Sequence, residues 1–149
     1  MRHKLLETND GRRKFVLVLD AGEEAIAAIT AFAAEQKLQG TSLTGIGAFA
    51  SCSFGHFNPA TKEFRRNDLA DQSEVLAITG NIAGGTDGAP HLHIHCVVGL
   101  NDATTRGGHL IEGRVRPTLE LVLEESPEHL QRGLDHASGL VLLQPNQGA

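Results

Sequence analysis

A chain of 149 residues with 13 basic and 18 acidic side chains, and a formal net charge of −5, suits one domain and lacks the bulk positive field that draws proteins to phosphate backbones. Trp and Tyr are absent, so the usual stacking platforms for single-stranded nucleic acid are missing too. Two cysteines, Cys52 and Cys96, are too few for a disulfide framework and stay thiols in a reducing compartment. No apolar run approaches the roughly 18 residues of a spanning helix or the centre of a signal peptide; a soluble, cytoplasmic protein with no membrane role is expected.

Residues 1–13 are polar and partly charged and read as a flexible amino-terminal segment. Phe15-Val16-Leu17-Val18-Leu19, ending at Asp20-Ala21-Gly22, suits a buried strand and a turn. A helix should follow, capped by Asp20 with Glu23 three residues on, carrying Ile26, Ile29, Phe32 and Ala33 at helical spacing and stopping at Gly40. Farther along, Leu43–Phe57, Val75–Ile82, His91–Leu100, His109–Val115 and Leu119–Leu123 alternate or run apolar between turn signals such as Asn-Pro, Asp-Gly and Asn-Asp. Ser126-Pro127 can open a short carboxy-terminal helix, and residues 144–149 read as a tail. The expected fold is therefore one α+β domain: a mainly antiparallel sheet, one long amino-terminal helix and short additional helices.

The segment with chemistry in it is Pro90-His91-Leu92-His93-Ile94-His95, followed later by Gly107-Gly108-His109. An extended chain sends alternate side chains to one face, so His91, His93 and His95 share a side that Leu92 and Ile94 do not. One histidine on a sheet face is ordinary; four converging ones are a metal-site layout. Imidazole suits zinc and other divalent transition metals, and three protein ligands with an open fourth position make a reactive centre. The favoured ligands are His91, His93 and His109, the loop 101–106 letting the chain turn back. His95 is then the spare, available as a proton carrier, a supporting group or an alternative third ligand. Gly107 and Gly108 permit a close backbone approach or unusual dihedrals, unless they are an ordinary turn.

Three neutral imidazoles leave zinc its double charge, with which it polarises a carbonyl or acidifies bound water. Chemistry there also needs an acid or base. Glu120, sharing a face with Thr118 while Leu119, Leu121 and Leu123 take the other, is the leading candidate by pattern. A solvated strand residue or an ion-pair partner for Arg114 or Arg116 explains it equally well. Glu112, Glu74 and His56 are weaker candidates. Gly45-Ile46-Gly47-Ala48 matches a loose dinucleotide fingerprint, but a strand rather than the required helix follows it. Arg12-Arg13-Lys14 and Arg65-Arg66 read as solvated surface, and Cys52 and Cys96 as buried, inert thiols.

Taken together, Thr44-Gly45-Ile46-Gly47-Ala48, Glu74 through Ile82, Pro90-His91-Leu92-His93, Gly107-Gly108-His109-Leu110 and Thr118-Leu119-Glu120 resemble the plants-and-prokaryotes conserved (PPC) domain, over about Phe15 to Leu143. The resemblance implies an antiparallel α+β domain assembled as a homotrimer. Plant members accompany AT-hook segments that bind the DNA minor groove, and free-standing bacterial members carry a DNA-binding label. Here Arg114-Val115-Arg116-Pro117 lacks the Arg-Gly-Arg-Pro core of an AT-hook, so direct DNA binding is not expected of this acidic chain. The fold is also similar to that of acetolactate decarboxylase, which holds zinc with a His-x-His pair and a later His; that maps onto His91, His93 and His109. Two classes of function follow: a metal-binding PPC-domain protein with a DNA-binding or regulatory role and a three-His zinc site, or a zinc-dependent lyase or hydrolase acting on a carbonyl-containing acid. In the second, a small molecule sits at the metal and Glu120 or His95 moves a proton.

Overall fold

Alternating apolar side chains set the sheet. In β2 (Arg12–Asp20) Phe15, Leu17 and Leu19 are buried, as are Leu119, Leu121 and Leu123 in β7 (Thr105–Glu125). The two strands pair antiparallel with Leu17 opposite Leu121, so both rows enter one core. The computed structural model, which describes residues 1–145, adds β1 (Arg2–Asn9), β3 (Gly40–Asn58), β4 (Glu63–Leu69), β5 (Ser73–Gly84) and β6 (Pro90–Gly99) to a seven-stranded sheet of order β1-β2-β7-β6-β5-β3-β4. β3 also pairs with β7 along Thr41–Gly55. The circuit β3-β5-β6-β7 therefore closes on itself as a barrel, which removes the open edges those strands would otherwise present.

The single helix, α1 (Ala25–Gln36), turns Ile29, Phe32 and Ala33 into the same core, and the Phe32 ring meets Phe15 edge-on at 5.4 Å. It is shorter than the expected helix and starts later. Glu23 does reach back to the backbone N–H of Asp20, at 2.7 Å, but that closes a turn. The helix cap is Glu24, whose carboxylate accepts the N–H groups of Ile26 and Ala27. Lys37, left-handed at φ 56°, ends it, and Gly40 belongs to β3.

The expectation of an α+β fold with a long amino-terminal helix and further short helices is thus corrected. Among the described residues, α1 is the only helix with 12 residues, and the remainder is mostly antiparallel sheet. Ser126-Pro127 opens no helix because the backbone there bonds elsewhere: Ser126 N–H donates to Gly40 O at 2.7 Å and Leu130 N–H to Gln39 O at 2.7 Å. A small hairpin of β8 (Arg132–Leu134) and β9 (Val141–Leu143) follows. Residues 2–9, expected to be flexible, form β1 on β2. The two runs expected at 109–115 and 119–123 belong to one 21-residue strand, held by β3 from His109 to Glu125. The glycines at 45 and 47 lie inside β3 and open no helix. Of the tail, residues 146–149 lie outside the described residues.

Cys52 and Cys96 are free and buried, and burial pushes their thiols up to about 11 and about 12. At neutral pH neither forms the thiolate that reacts.

β5 packs on β6 without room for a side chain at Gly80, where a Cβ would stand 2.2 Å from the His93 carbonyl oxygen and 2.9 Å from Ile94 Cα. Because backbone has to move, Gly80→Ala is expected to cost about 1–3 kcal/mol by urea denaturation. Wild-type stability would mean that the strands do not pair in this register.

Candidate metal centre

Strand pairing assembles the histidines. His93 and His95 lie two residues apart on β6 and so share a face; the buried residues of that strand, Ile94, Cys96 and Val98, take the other. Across the pair with β7, His95 stands opposite His109. The neighbouring pairs, Cys96 with Gly108 and Val97 with Gly107, are where the backbones come closest: a Cβ on Gly107 would meet Cys96 O at 2.6 Å, and Gly108 has φ +155°. The glycine pair is therefore a close-approach device within a strand, not a turn, and it brings His109 up beside its partner.

The three rings make a nearly equilateral triangle, with centroids 5.1, 5.3 and 5.4 Å apart. Each offers one nitrogen within 4.8 Å of the other two, and His93 Nε2 lies 3.2 Å from His95 Nε2. Ligand nitrogens about 2.0–2.1 Å from a tetrahedral zinc are about 3.3–3.4 Å apart. One edge of the triangle already has that length, and rotamer adjustment of about 1.5 Å closes the others. The residues fit a three-His metal site. Burial, together with neighbouring positive groups, holds His93 and His109 below the usual histidine value of 6.5. That favours the neutral imidazole a metal requires.

His91, expected as a ligand, does not join this group. It sits at the start of β6 with Nε2 3.2 Å from Asp87 Oδ1, and the third member is His95, which had been expected as the spare. Glu120 is not brought to the centre either. It is exposed on β7, eleven positions beyond His109 and paired with Val18 and Ile46, roughly 35 Å of strand away. Glu112 pairs with Arg66 at 2.8 Å, Glu74 lines a groove beside Ile46 and Leu76, and His56 is exposed opposite Arg65.

A cavity of about 180 Å³ opens on this face, lined by His91, His93 and His109 with Phe64, Leu92, Arg132 and the hairpin residues Leu140, Val141 and Leu142. Phe64 reaches across Gly55, which lacks the side chain that would block it, and its ring lies 5.7 Å from that of His109. Arg132 donates to Asn81 Oδ1, and Asn81 is the cross-strand partner of His93. Neither Phe64 nor Arg132 carried a signal in the sequence. β4 is polar by pattern, and the segment before Arg132 read as the start of a short helix at Ser126-Pro127.

No curated protein matches the chain. Among solved structures it is similar to a Bacteroides thetaiotaomicron protein given a provisional DNA-binding label (26% identity, 97% of this chain and 99% of that one, TM-score 0.88). It also resembles a plant- and prokaryote-conserved (PPC) protein from Pyrococcus horikoshii (28%, 89% and 91%, TM-score 0.83) and a metal-containing protein from Archaeoglobus fulgidus (28%, 96% and 96%, TM-score 0.81). The profile of the Plants and Prokaryotes Conserved domain (PCC, also written PPC) matches residues 6–127. With that match over most of its length, the chain belongs to the Plants and Prokaryotes Conserved domain family.

Proposed function

We propose that this is a metal-binding PPC-domain protein in which His93, His95 and His109 hold a divalent transition metal, zinc foremost, and in which the adjoining cavity admits a small ligand to the open coordination position. The observation that carries the proposal is the triangle of imidazole nitrogens, a donor set suited to zinc and leaving one position free. The metal-containing relative from Archaeoglobus fulgidus supports it. When bound, the ion would supply Lewis-acid polarisation of a ligand oxygen or an acidified water.

Two features favour a second, enzymatic reading as a lyase or hydrolase. His91 lines the same cavity without belonging to the triangle, and Asp87 holds its Nε2. An imidazole oriented by a carboxylate is a proton carrier of the usual kind, so this role passes from Glu120 to His91. The likeness to acetolactate decarboxylase has no counterpart among the structures above.

Direct DNA binding is not part of the proposal. The chain is acidic overall, and Arg2, Arg13, Lys14 and Arg66 are each engaged by a carboxylate. A regulatory role would then be exercised through a ligand or a partner. As the family resemblance implies, we propose a homotrimer; support comes from a groove on the outer face of the barrel lined by the exposed Ile46 and Leu76 beside Pro117 and Thr118. No helix of the described residues is long and apolar enough to cross a membrane.

Elemental analysis after metal loading should give one ion per chain. His93→Ala and His95→Ala are each expected to lower metal affinity by more than about 100-fold, and His91→Ala to change it by less than about tenfold. Loss of metal from His91→Ala with retention by His95→Ala would reverse the ligand set.

The depressed values of His93 and His109 set the pH dependence. Above the ordinary 6.5 both rings are neutral in folded and unfolded chains alike. As the pH falls below 6.5 the unfolded chain takes up protons first, so metal-free stability should decline from there down through the depressed values. Denaturation at stepped pH measures this, and His93→Gln should flatten the decline. Metal should persist at pH 6.5 and be released below it.

Light scattering should give a mass three times 15.9 kDa. Ile46→Asp, at a position 60% exposed, should reduce it to a monomer without loss of helix or sheet by circular dichroism.

A further inference from the structure

Arg132 is the anomaly on this face. Its side chain is only 5% exposed. The guanidinium donates to the neutral Asn81, its Nε is buried with no partner, and no Asp or Glu among the described residues forms an ion pair with it. A guanidinium stays charged at any physiological pH. Burying a charge without a counter-charge is costly, and a buried donor left unpaired costs further. The fold nonetheless holds it in place. Gly84 N–H donates to Leu130 O at 2.8 Å and a bridge joins Gly84 to Gln131, so the end of β5 delivers Arg132 to the cavity wall.

The cavity's lining says what is missing. His91, His93, His109 and Arg132 are its polar lining, while Phe64, Leu92, Leu140, Val141 and Leu142 supply apolar surface. No carboxylate lines it. At about 180 Å³ it lies below the roughly 300 Å³ at which pockets for drug-sized ligands begin, which excludes a nucleotide and leaves room for a short acid.

We infer that this cavity binds a short organic acid, with its carboxylate on Arg132 and its carbon chain against the leucine and phenylalanine wall. The inference deepens the proposed function and rests on it for the metal that shares the cavity. A planar guanidinium matches a carboxylate in shape and charge. A single such donor set in apolar walls suits a monoanion better than a phosphate dianion, which needs more donors.

The test is calorimetric titration of zinc-loaded and metal-free protein with butyrate, its neutral isostere butyramide and inorganic phosphate, with zinc content measured on every sample. Butyrate should bind the wild type, butyramide roughly 10- to 100-fold more weakly, and Arg132→Gln should lose affinity for butyrate by a similar factor while keeping its zinc. Arg132-dependent butyrate binding in a protein that holds no zinc would leave the acid site standing and remove the metal centre. Zinc retained, with butyrate unbound at millimolar concentration, no better bound than butyramide or weaker than phosphate, overturns the acid site and leaves the metal centre intact. Should Arg132→Gln fail to fold, the butyrate and butyramide comparison on the wild type decides alone.

Discussion

The site depends on the pairing of β6 with β7 in the one register that sets His95 opposite His109. Side chains alternate in a strand, so a slip of one residue would turn His109 to the core face and Leu110 to the surface. Two things pin the register. Leu110 and Ile94 are core residues whose burial fixes which face is which, and Gly107 and Gly108 let the strands approach where a Cβ on Gly107 would strike the carbonyl of Cys96. β3 then clasps the opposite edge of β7, pairing Gly55 with His109, and the barrel closes. The histidine triangle is a by-product of a register that the core enforces. The backbone positions that carry the three rings are therefore fixed by the barrel itself.

Electrostatics separate this face from the rest of the surface. Elsewhere opposite charges meet: Arg2 with Asp20, Lys14 with Glu124, Arg66 with Asp68 and Glu112. Such exposed pairs contribute little to stability, but each sets a carboxylate directly beside its basic group. At the cavity the pattern breaks. Three imidazoles, of which His91 is held by Asp87, and a buried guanidinium line it with no carboxylate on the lining itself, and a bound divalent cation would add positive charge. The surroundings select for an anion, while the apolar wall restricts its size and shape. The acidic residue nearest to hand, Asp87, is engaged first by the Ala89 N–H and then by His91.

Most of the sheet was legible because burial imposes period two. The stretches beginning at Phe15, Leu43, Val75 and His91 alternate or run apolar, and each falls in a strand; those at Leu43 and His91 have nearly the expected extent, while the other two strands run on past the apolar residues. β4 escaped because it lies at the outer edge of the sheet, exposed on both faces, where backbone hydrogen bonds to β3 form it and hydrophobicity gives no sign. The carboxy-terminal helix failed for a related reason: Pro127 suits a helix start, but the carbonyls of Gln39 and Gly40 claim the N–H groups of Leu130 and Ser126. The long amino-terminal helix shrank because local signals at Asp20 and Glu23 describe a turn as well as a cap. Only Glu24, whose carboxylate also accepts the Gly113 N–H across the barrel, settles where the helix begins.

Sequence alone determined that imidazoles cluster on one face of one strand and that a later histidine, preceded by two glycines, could meet them. Both are consequences of alternation and of the missing Cβ, properties each residue carries with it. Which histidines meet was decided by tertiary structure. Pairing across β6 and β7 sets His95 rather than His91 beside His109, and register between strands is a relation between distant segments that no local spacing encodes. The same holds for Arg132, which sits 23 residues beyond His109 in sequence and reaches the cavity only because β8 is tied to the end of β5. It also holds for Glu120, whose favourable pattern could not reveal that its strand carries it to the far end of the barrel.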